Sequence, residues 1–243
     1  MDTRSAEILN DMNCRFYAEH AESFSSTRQR PWDGWRRVLE HIDAPDRMLD
    51  LGSGNMRFQR YVDDHYAGKH ITHYCIDSCD GLAAPSLNIA YQHLDVVSCL
   101  LSGRNIASVV EAPDCDVVTT FGFMHHIPGF DMRCTLFQAL VEKTVPGGII
   151  AISFWQFARD AKMRSKAEKT TGEAQESINV HLDENDYLIG WNGLPDVYRY
   201  CHSFDDEEIT RMLESAKNKL KLIDCFSSDG KNNAMNKYVV LRN

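Results

Sequence analysis

LDLGSGN, residues 49–55, decides the fold: an apolar run closes on Gly52 and Gly54, one residue apart, and a helical stretch follows from about Met56. Glycines there let the backbone approach a ligand closely, and the carboxyl edge of a parallel sheet is where doubly wound folds bind nucleotides. A dinucleotide fingerprint needs a further glycine three residues after the second. That place holds Arg57, which weighs against a nicotinamide cofactor.

Working outward, apolar runs at Arg47 to Leu51, Ile71 to Ile76, Ala90 to Leu94, Cys115 to Phe121 and Gly148 to Phe154 read as strands separated by helical stretches. Such alternation gives an α/β, doubly wound parallel sheet covered on both faces, because right-handed crossovers place the helices there. Before it, Ile8, Leu9, Met12 and Phe16 recur at helical spacing in Ser5 to Phe24, and a second helix is predicted from Pro31 to about Ile42, a helical cap over residues 1–44. The core spans 45–158. Residues 159–204 form an acceptor-side insertion before the sixth strand; Arg159 to Asp186 is rich in Lys, Glu, Ser and Thr and is expected to be a mobile insertion or lid. Residues 205–243 carry a helix from Asp205 to Asn218 and strands from Lys219 to Phe226 and Lys237 to Leu241, an antiparallel pair around Asp229-Gly230. All four parts are read as one domain.

The 243 residues carry a formal charge of −9, which argues against coating nucleic acid by charge alone. With 43% hydrophobic and 25% charged residues the composition is that of an ordinary soluble protein. No apolar signal core or membrane-length run is present, so a cytoplasmic location without membrane contact is expected. Eight scattered cysteines read as reduced thiols. Cys75 and Cys79 lack a second pair at zinc spacing, and no metal site is expected.

Acids at successive strand ends define a candidate cofactor site. Asp77 closes the second strand 25 residues after Gly52, where a carboxylate accepts ribose hydroxyls. Asp95 follows the third strand, placed to accept from an adenine amino group while Leu94 or Val96 packs on the ring, and Asp50 is placed to face an amino group. Ser53, Ser78 and Phe121 complete the expected cofactor set.

LDLGSGN, CIDSC, HLDVV, the strand ending in FGFMHHI, and VPGGIIAISFW together resemble the Rossmann-like class I S-adenosylmethionine-dependent methyltransferase superfamily over roughly residues 45–155. The resemblance implies a seven-stranded sheet with its last strand antiparallel, S-adenosylmethionine as cofactor with Asp50 toward its amino group, and Tyr17 of FYAEHAESF against it. Met56 stands where such loops often carry a third glycine.

SSTRQRPWDGW (25–35), His125-His126, PGGIIAISFWQ (146–156), DYLIGW (186–191) and YRYCHSF (198–204) resemble the tRNA wobble-uridine carboxymethyl methyltransferases, the family of yeast tRNA methyltransferase nine and the AlkB-homologue methyltransferase domain. Gly190 replaces a proline of that pattern, Cys201 an aromatic, and Pro128 follows the histidine pair. The resemblance implies a carboxylate acceptor on tRNA, with Arg28 and His125 as the catalytic residues. Arg30, Trp32, His126, Trp155, Trp191, Arg199 and His202 are then expected around the acceptor. A carboxylate is already a nucleophile, so alignment and desolvation matter more than a base. The resemblance also implies a small activator protein as partner. A small-molecule carboxylate, phenol or amine is the alternative acceptor; a phenol or amine would favour His125 as base. A third reading keeps the fold as a non-catalytic cofactor-binding subunit. The basic run Arg159, Lys162, Arg164, Lys166 and Lys169 is a further candidate for an RNA backbone.

Overall fold

The computed structural model describes residues 1–84, 86–216 and 220–243. Five strands of the large sheet come first: β1 (Arg47–Leu51), β2 (Thr72–Asp77), β3 (Ile89–His93), β4 (Cys115–Thr120) and β5 (Thr144–Trp155). β8 (Lys221–Ser228) and β9 (Asn236–Arg242) complete it, in the order β3-β2-β1-β4-β5-β9-β8. β1 pairs in parallel with both β2 and β4, while β9 runs antiparallel to β5 and β8. Strand order reverses beside β1, so the crevice at the carboxyl ends of β1 and β4 is the switch point of a doubly wound sheet. The seven strands and the antiparallel last strand match the expectation.

Period-2 alternation divides the core. Leu49, Leu51, Val118, Ile150 and Ile152 pack on one face with Leu136 and Phe137 of α6 (Phe130–Glu142) and Met212 of α8 (Asp206–Glu214). Met48, Val117, Ile149 and Ala151 point the other way, onto Trp35 and Val38 of α2 (Asp33–Leu39) and Phe58 and Val62 of α3 (Arg57–His65). Fully burying a side chain such as Leu49 contributes roughly 1.5–3 kcal/mol, so each face holds its helices firmly.

The cap is α1 (Thr3–Ser26), begun by the Asp2 carboxylate accepting from the Ser5 amide at 2.9 Å, followed by α2. Trp32 is the N-cap residue of α2, so Pro31 precedes that helix rather than opening it. α4 (Val96–Leu101) and the short α5 (Ile106–Val109) lie between β3 and β4.

The polar stretch departs from expectation. α7 (Ala161–Gln175) is a regular helix, capped by Asp160 accepting from the Met163 amide at 2.9 Å. It lies on a separate hairpin that the sequence reading did not anticipate, β6 (Asp186–Gly190) with β7 (Tyr198–His202). Small residues make this possible: Ala167 and Ala174 are buried, Thr170 Oγ1 donates to the Leu188 carbonyl at 2.7 Å, and Thr171 Oγ1 accepts from the Leu188 amide at 2.9 Å. Two hydroxyls thereby satisfy a strand edge that large apolar side chains would otherwise have to cover. The insertion precedes β8, the sixth strand of the large sheet. Of the predicted C-terminal boundaries, Asn218 and Lys219 lie outside the described residues. No described helix is long and apolar enough to cross a membrane.

Candidate active site

A cavity of about 660 Å³ follows the carboxyl ends of β1, β2 and β4 beneath α1. At one end the backbone turns sharply at Gly52, whose φ is +77° and where a Cβ would sit 2.4 Å from Cβ of Phe123, so a side chain is excluded twice over. Asp77 is aimed by two amides, Gly54 donating at 2.8 Å and Cys79 at 2.9 Å, and burial raises its pKa against their pull. Asp50 accepts from Gln59 Nε2 and Thr119 Oγ1, both at 2.8 Å, and burial pushes its pKa up to about 7. No cation stands within ion-pair distance of it among the described residues.

Asp95 differs from its expected role in part, because it is the N-cap of α4. Its Oδ2 accepts from Ser98 Oγ at 2.6 Å and Asn10 Nδ2 at 2.8 Å, and its Oδ1 from the Ser98 amide at 2.9 Å. Oδ2 is committed, so only Oδ1 retains capacity for an adenine amino group. Ser53, Ser78, Leu94, Val96, Phe121 and Tyr17 also line the cavity, as expected.

The other end is built of cations and rings. Arg199, on β7, is 5% exposed; its Nη1 donates to Tyr17 Oη at 3.4 Å, while Nε has no partner. Phe16, Phe24, Trp155 and Trp191 surround its guanidinium at 5.5–5.8 Å. Arg28 lies 4.1 Å over Phe24 and bonds only Thr27 Oγ1; burial, then the field of Arg199, brings its pKa down to about 10. Neither guanidinium has a carboxylate within ion-pair distance among the described residues. Ring faces hold a cation without using its N–H groups, which leaves those groups for a ligand. Arg30, Trp32 and Trp155 line the cavity as expected.

The histidine pair divides its work. His126 Nδ1 donates to the Tyr200 carbonyl at 2.9 Å and Nε2 accepts from Tyr17 Oη at 2.8 Å, the tautomer these partners dictate. Burial, with Arg199, lowers its pKa to about 3. Both nitrogens are engaged within the protein, so His126 braces Tyr17 while its ring still lines the cavity. Asn13 fixes the same point, its Oδ1 accepting from the Tyr200 amide at 2.8 Å and its Nδ2 donating to the Tyr200 carbonyl at 3.2 Å, as a neighbouring strand would. His125 has a buried Nδ1 with no partner, and its ring lies 5.0 Å from Trp155. Burial, then His126 and the arginines, holds it neutral, well below the usual histidine range.

Two more expected acceptor residues stand behind the wall. Trp191 packs 5.4 Å from Phe16 and donates to Ser23 Oγ at 3.3 Å. His202 is gripped by Asp186 at 2.7 Å and Glu208 at 2.6 Å, and although burial opposes its charge the two carboxylates raise its pKa. Most of the α7 basic run is neutralised: Arg164 faces Glu168 at 3.8 Å, Lys169 faces Glu173 at 3.7 Å, and Arg159 meets Asp206 at 2.6 Å. Conversely, Arg57, Asn13, Met163, Asp229 and Asn236 line or brace the cavity without having been singled out as site residues. His125, His126 and Cys201 bring donor atoms within 4.8 Å of one another. With His126 engaged and two guanidiniums beside them, the trio suits an anion better than a metal cation.

No protein-family model matches the chain. A putative methyltransferase of Encephalitozoon cuniculi is 28% identical over 206 residues, 82% of each chain. The tRNA (carboxymethyluridine(34)-5-O)-methyltransferase ALKBH8 of Mus musculus is 24% identical over 188 residues, 71% of this chain but 25% of that protein, so the chain spans about a quarter of that relative's length. Among solved structures, a SAM-dependent methyltransferase of Methanosarcina mazei superposes with a TM-score of 0.61 at 14% identity, covering 85% of this chain and 96% of that one. The chain has the class I S-adenosylmethionine-dependent methyltransferase fold and is distantly related in sequence to tRNA methyltransferases. Its relatives and structural neighbours are methyltransferases that use S-adenosylmethionine, the cofactor consistent with the fold.

Proposed function

We propose that this chain transfers the methyl group of S-adenosylmethionine to a carboxylate, that of a carboxymethyl-modified wobble uridine in tRNA or of a related acid. The observation that carries this reading is the pair Arg28 and Arg199, two guanidiniums held by ring faces at the acceptor end with no carboxylate within ion-pair distance among the described residues. In the cofactor's place, Asp77 takes the ribose hydroxyls, Oδ1 of Asp95 with Val96 and Leu94 the adenine, and Asp50 the ammonium group. Gly52, Ser53 and Gly54 supply the close turn. Ser78, Phe121 and Tyr17 close the remaining walls.

The chemistry asks little of a base. A carboxylate oxygen attacks the sulfonium methyl group, the carbon–sulfur bond breaks, and a methyl ester and S-adenosylhomocysteine result without any proton transfer. Arg28 and Arg199 align the acid and replace its water shell with fixed donors. Methylation removes the charge they hold, which favours release of the product. His125, held neutral and tilted 57° against Trp155 with its unpartnered Nδ1 buried, offers the acceptor a ring rather than a strong base. An amine acceptor would leave both guanidiniums without an anion to pair, whereas a carboxylate satisfies them.

The tRNA acceptor is supported by the distant relationship to ALKBH8, a tRNA (carboxymethyluridine(34)-5-O)-methyltransferase. The charge of −9 and the paired cations of α7 favour the second reading, a small carboxylic acid. Incubation with methyl-labelled S-adenosylmethionine and two pools, tRNA bearing carboxymethyluridine and a mixture of small acids, separates them. Label in tRNA released by mild alkali, as a methyl ester is, supports the first reading. Label confined to small acids selects the second, and stable label on nitrogen or phenol overturns both.

A further inference from the structure

Arg57 occupies the place where a dinucleotide loop would carry glycine, and its side chain enters the cavity from the first turn of α3. Its guanidinium lies over two indoles, 4.9 Å from the ring of Trp32 and 5.1 Å from that of Trp35, and donates to the Arg30 carbonyl at 2.8 Å. No carboxylate stands within ion-pair distance of it among the described residues.

The nearby acid on the same wall, Asp229, is already spent. Its Oδ2 accepts from Tyr238 Oη at 2.6 Å and Asn236 Nδ2 at 2.8 Å, and its Oδ1 from the Gly34 amide at 3.1 Å. That carboxylate ties the β8–β9 turn to α2, and Arg57 keeps only the Arg30 carbonyl, with no carboxylate partner among the described residues. Trp35, 2% exposed and part of the same cavity wall, has an indole N–H with no acceptor. Arg30, also on this wall, makes no ion pair among the described residues. Arg28 lies close enough to Arg57 to add to burial in bringing its pKa down to about 10. Four arginines therefore line the cavity, Arg28, Arg30, Arg57 and Arg199, and a single carboxylate meets only part of that demand.

We propose that the wall formed by Arg57, Trp35 and Arg30 is a second anion site, and that the acceptor carries a phosphate besides the carboxylate it presents to Arg28 and Arg199. This rests on the carboxylate reading above and names the wider chemistry of the same acceptor. A phosphate suits the wall better than a second carboxylate, because its oxygens point in several directions and can meet a guanidinium, an indole N–H and a further arginine together. Trp32, only half-buried and lining the cavity, provides a flat surface for the group that joins the two anions, while Trp35 is buried behind it. The phosphate belongs either to an RNA strand or to a free phosphorylated acid.

Calorimetry on the whole chain saturated with S-adenosylhomocysteine tests this with four probes: carboxymethyluridine, uridine 5′-monophosphate, carboxymethyluridine 5′-monophosphate, and an RNA hairpin with carboxymethyluridine in its loop. The expected result is that a phosphate-bearing carboxymethyluridine binds at least about tenfold more tightly than the nucleoside, and that Arg57→Gln reduces the gain below about threefold. Arg57→Lys, which keeps the charge, should retain part of it. A gain with the hairpin alone assigns the phosphate to a strand; a gain with the mononucleotide assigns it to a small phosphorylated acid. No gain with either, or a gain unaltered in Arg57→Gln, overturns the proposal. If the carboxylate adds nothing but uridine 5′-monophosphate binds in an Arg57-dependent way, the carboxylate reading fails and the phosphate site stands.

Discussion

Arg133 and Arg199 are buried to nearly the same degree, 3% and 5% exposed, in opposite surroundings. Arg133 Nε donates to Glu208 at 2.9 Å and its Nη1 to the Ile127 carbonyl at 3.0 Å; Glu208 also holds His202, and His202 holds Asp186. A guanidinium, an imidazole and two carboxylates close on one another there. At the other site Arg28, Arg57 and Arg199 have ring faces and, among the described residues, no carboxylate within ion-pair distance. Burying an unpaired charge costs several kcal/mol, so where no ligand comes the fold completes the pairing, and where pairing is missing a ligand is expected to complete it. Asp50 is the mirror case at the cavity's other end, a buried carboxylate with no protein cation beside it among the described residues, for which we propose the cofactor's ammonium group as partner.

The largest effect should come from breaking the closed network. Glu208→Ala strands Arg133 and His202, and denaturant unfolding should record a loss of about 3–5 kcal/mol. A variant as stable as the wild type would erase the contrast. Next is the open site: Arg199→Met should leave unfolding free energy unchanged or higher, while kcat/KM for the carboxylate acceptor falls by about 2–5 kcal/mol in transition-state terms. A large stability loss with unaltered kinetics would make Arg199 a structural residue like Arg133.

A smaller effect sharpens the mirror case. With its pKa up at about 7, Asp50 is half ionised near neutrality in the free protein, and the cofactor's ammonium favours the ionised form. Affinity for S-adenosylmethionine should therefore fall as pH drops below 7, by about fivefold between pH 7 and pH 6, and Asp50→Asn should flatten that dependence. Affinity that rises on acidification would exclude the contact. Least of all, Lys169→Ala on α7 should alter stability and RNA binding by no more than about 0.5 kcal/mol, because its charge already faces Glu173 at the surface.

The sheet was legible because its signals are local: alternation in β1 and β4, glycines before α3, acids at strand ends. The acids proposed to hold the cofactor were legible at strand ends for the same reason, although the capping role of Asp95 depends on Asn10 and Ser98, which only the folded chain brings to it. The acceptor side was harder. His202 and Trp191 looked like site residues as sequence motifs, and only pairing with Asp186 and Glu208, or packing on Phe16 and Phe24, places them behind the wall. α7 reads as solvated because its buried face is alanine and threonine, which carry little apolar signal. Arg57 had a signal that was read only negatively, as a missing glycine. Whether an arginine is paired depends on contacts between distant segments, so no spacing rule separates Arg133 from Arg199.

The central claim is that Arg28 and Arg199 wait for a carboxylate. Its most direct test compares the affinity of the S-adenosylhomocysteine-bound protein for carboxymethyluridine and for its uncharged carboxamide isostere, in the wild type and in Arg199→Met. The account predicts a preference for the carboxylate of at least about tenfold, lost in the variant, since bonds to charged groups exceed those to neutral ones by about 1–2 kcal/mol. Equal binding of acid and amide by the wild type would contradict it.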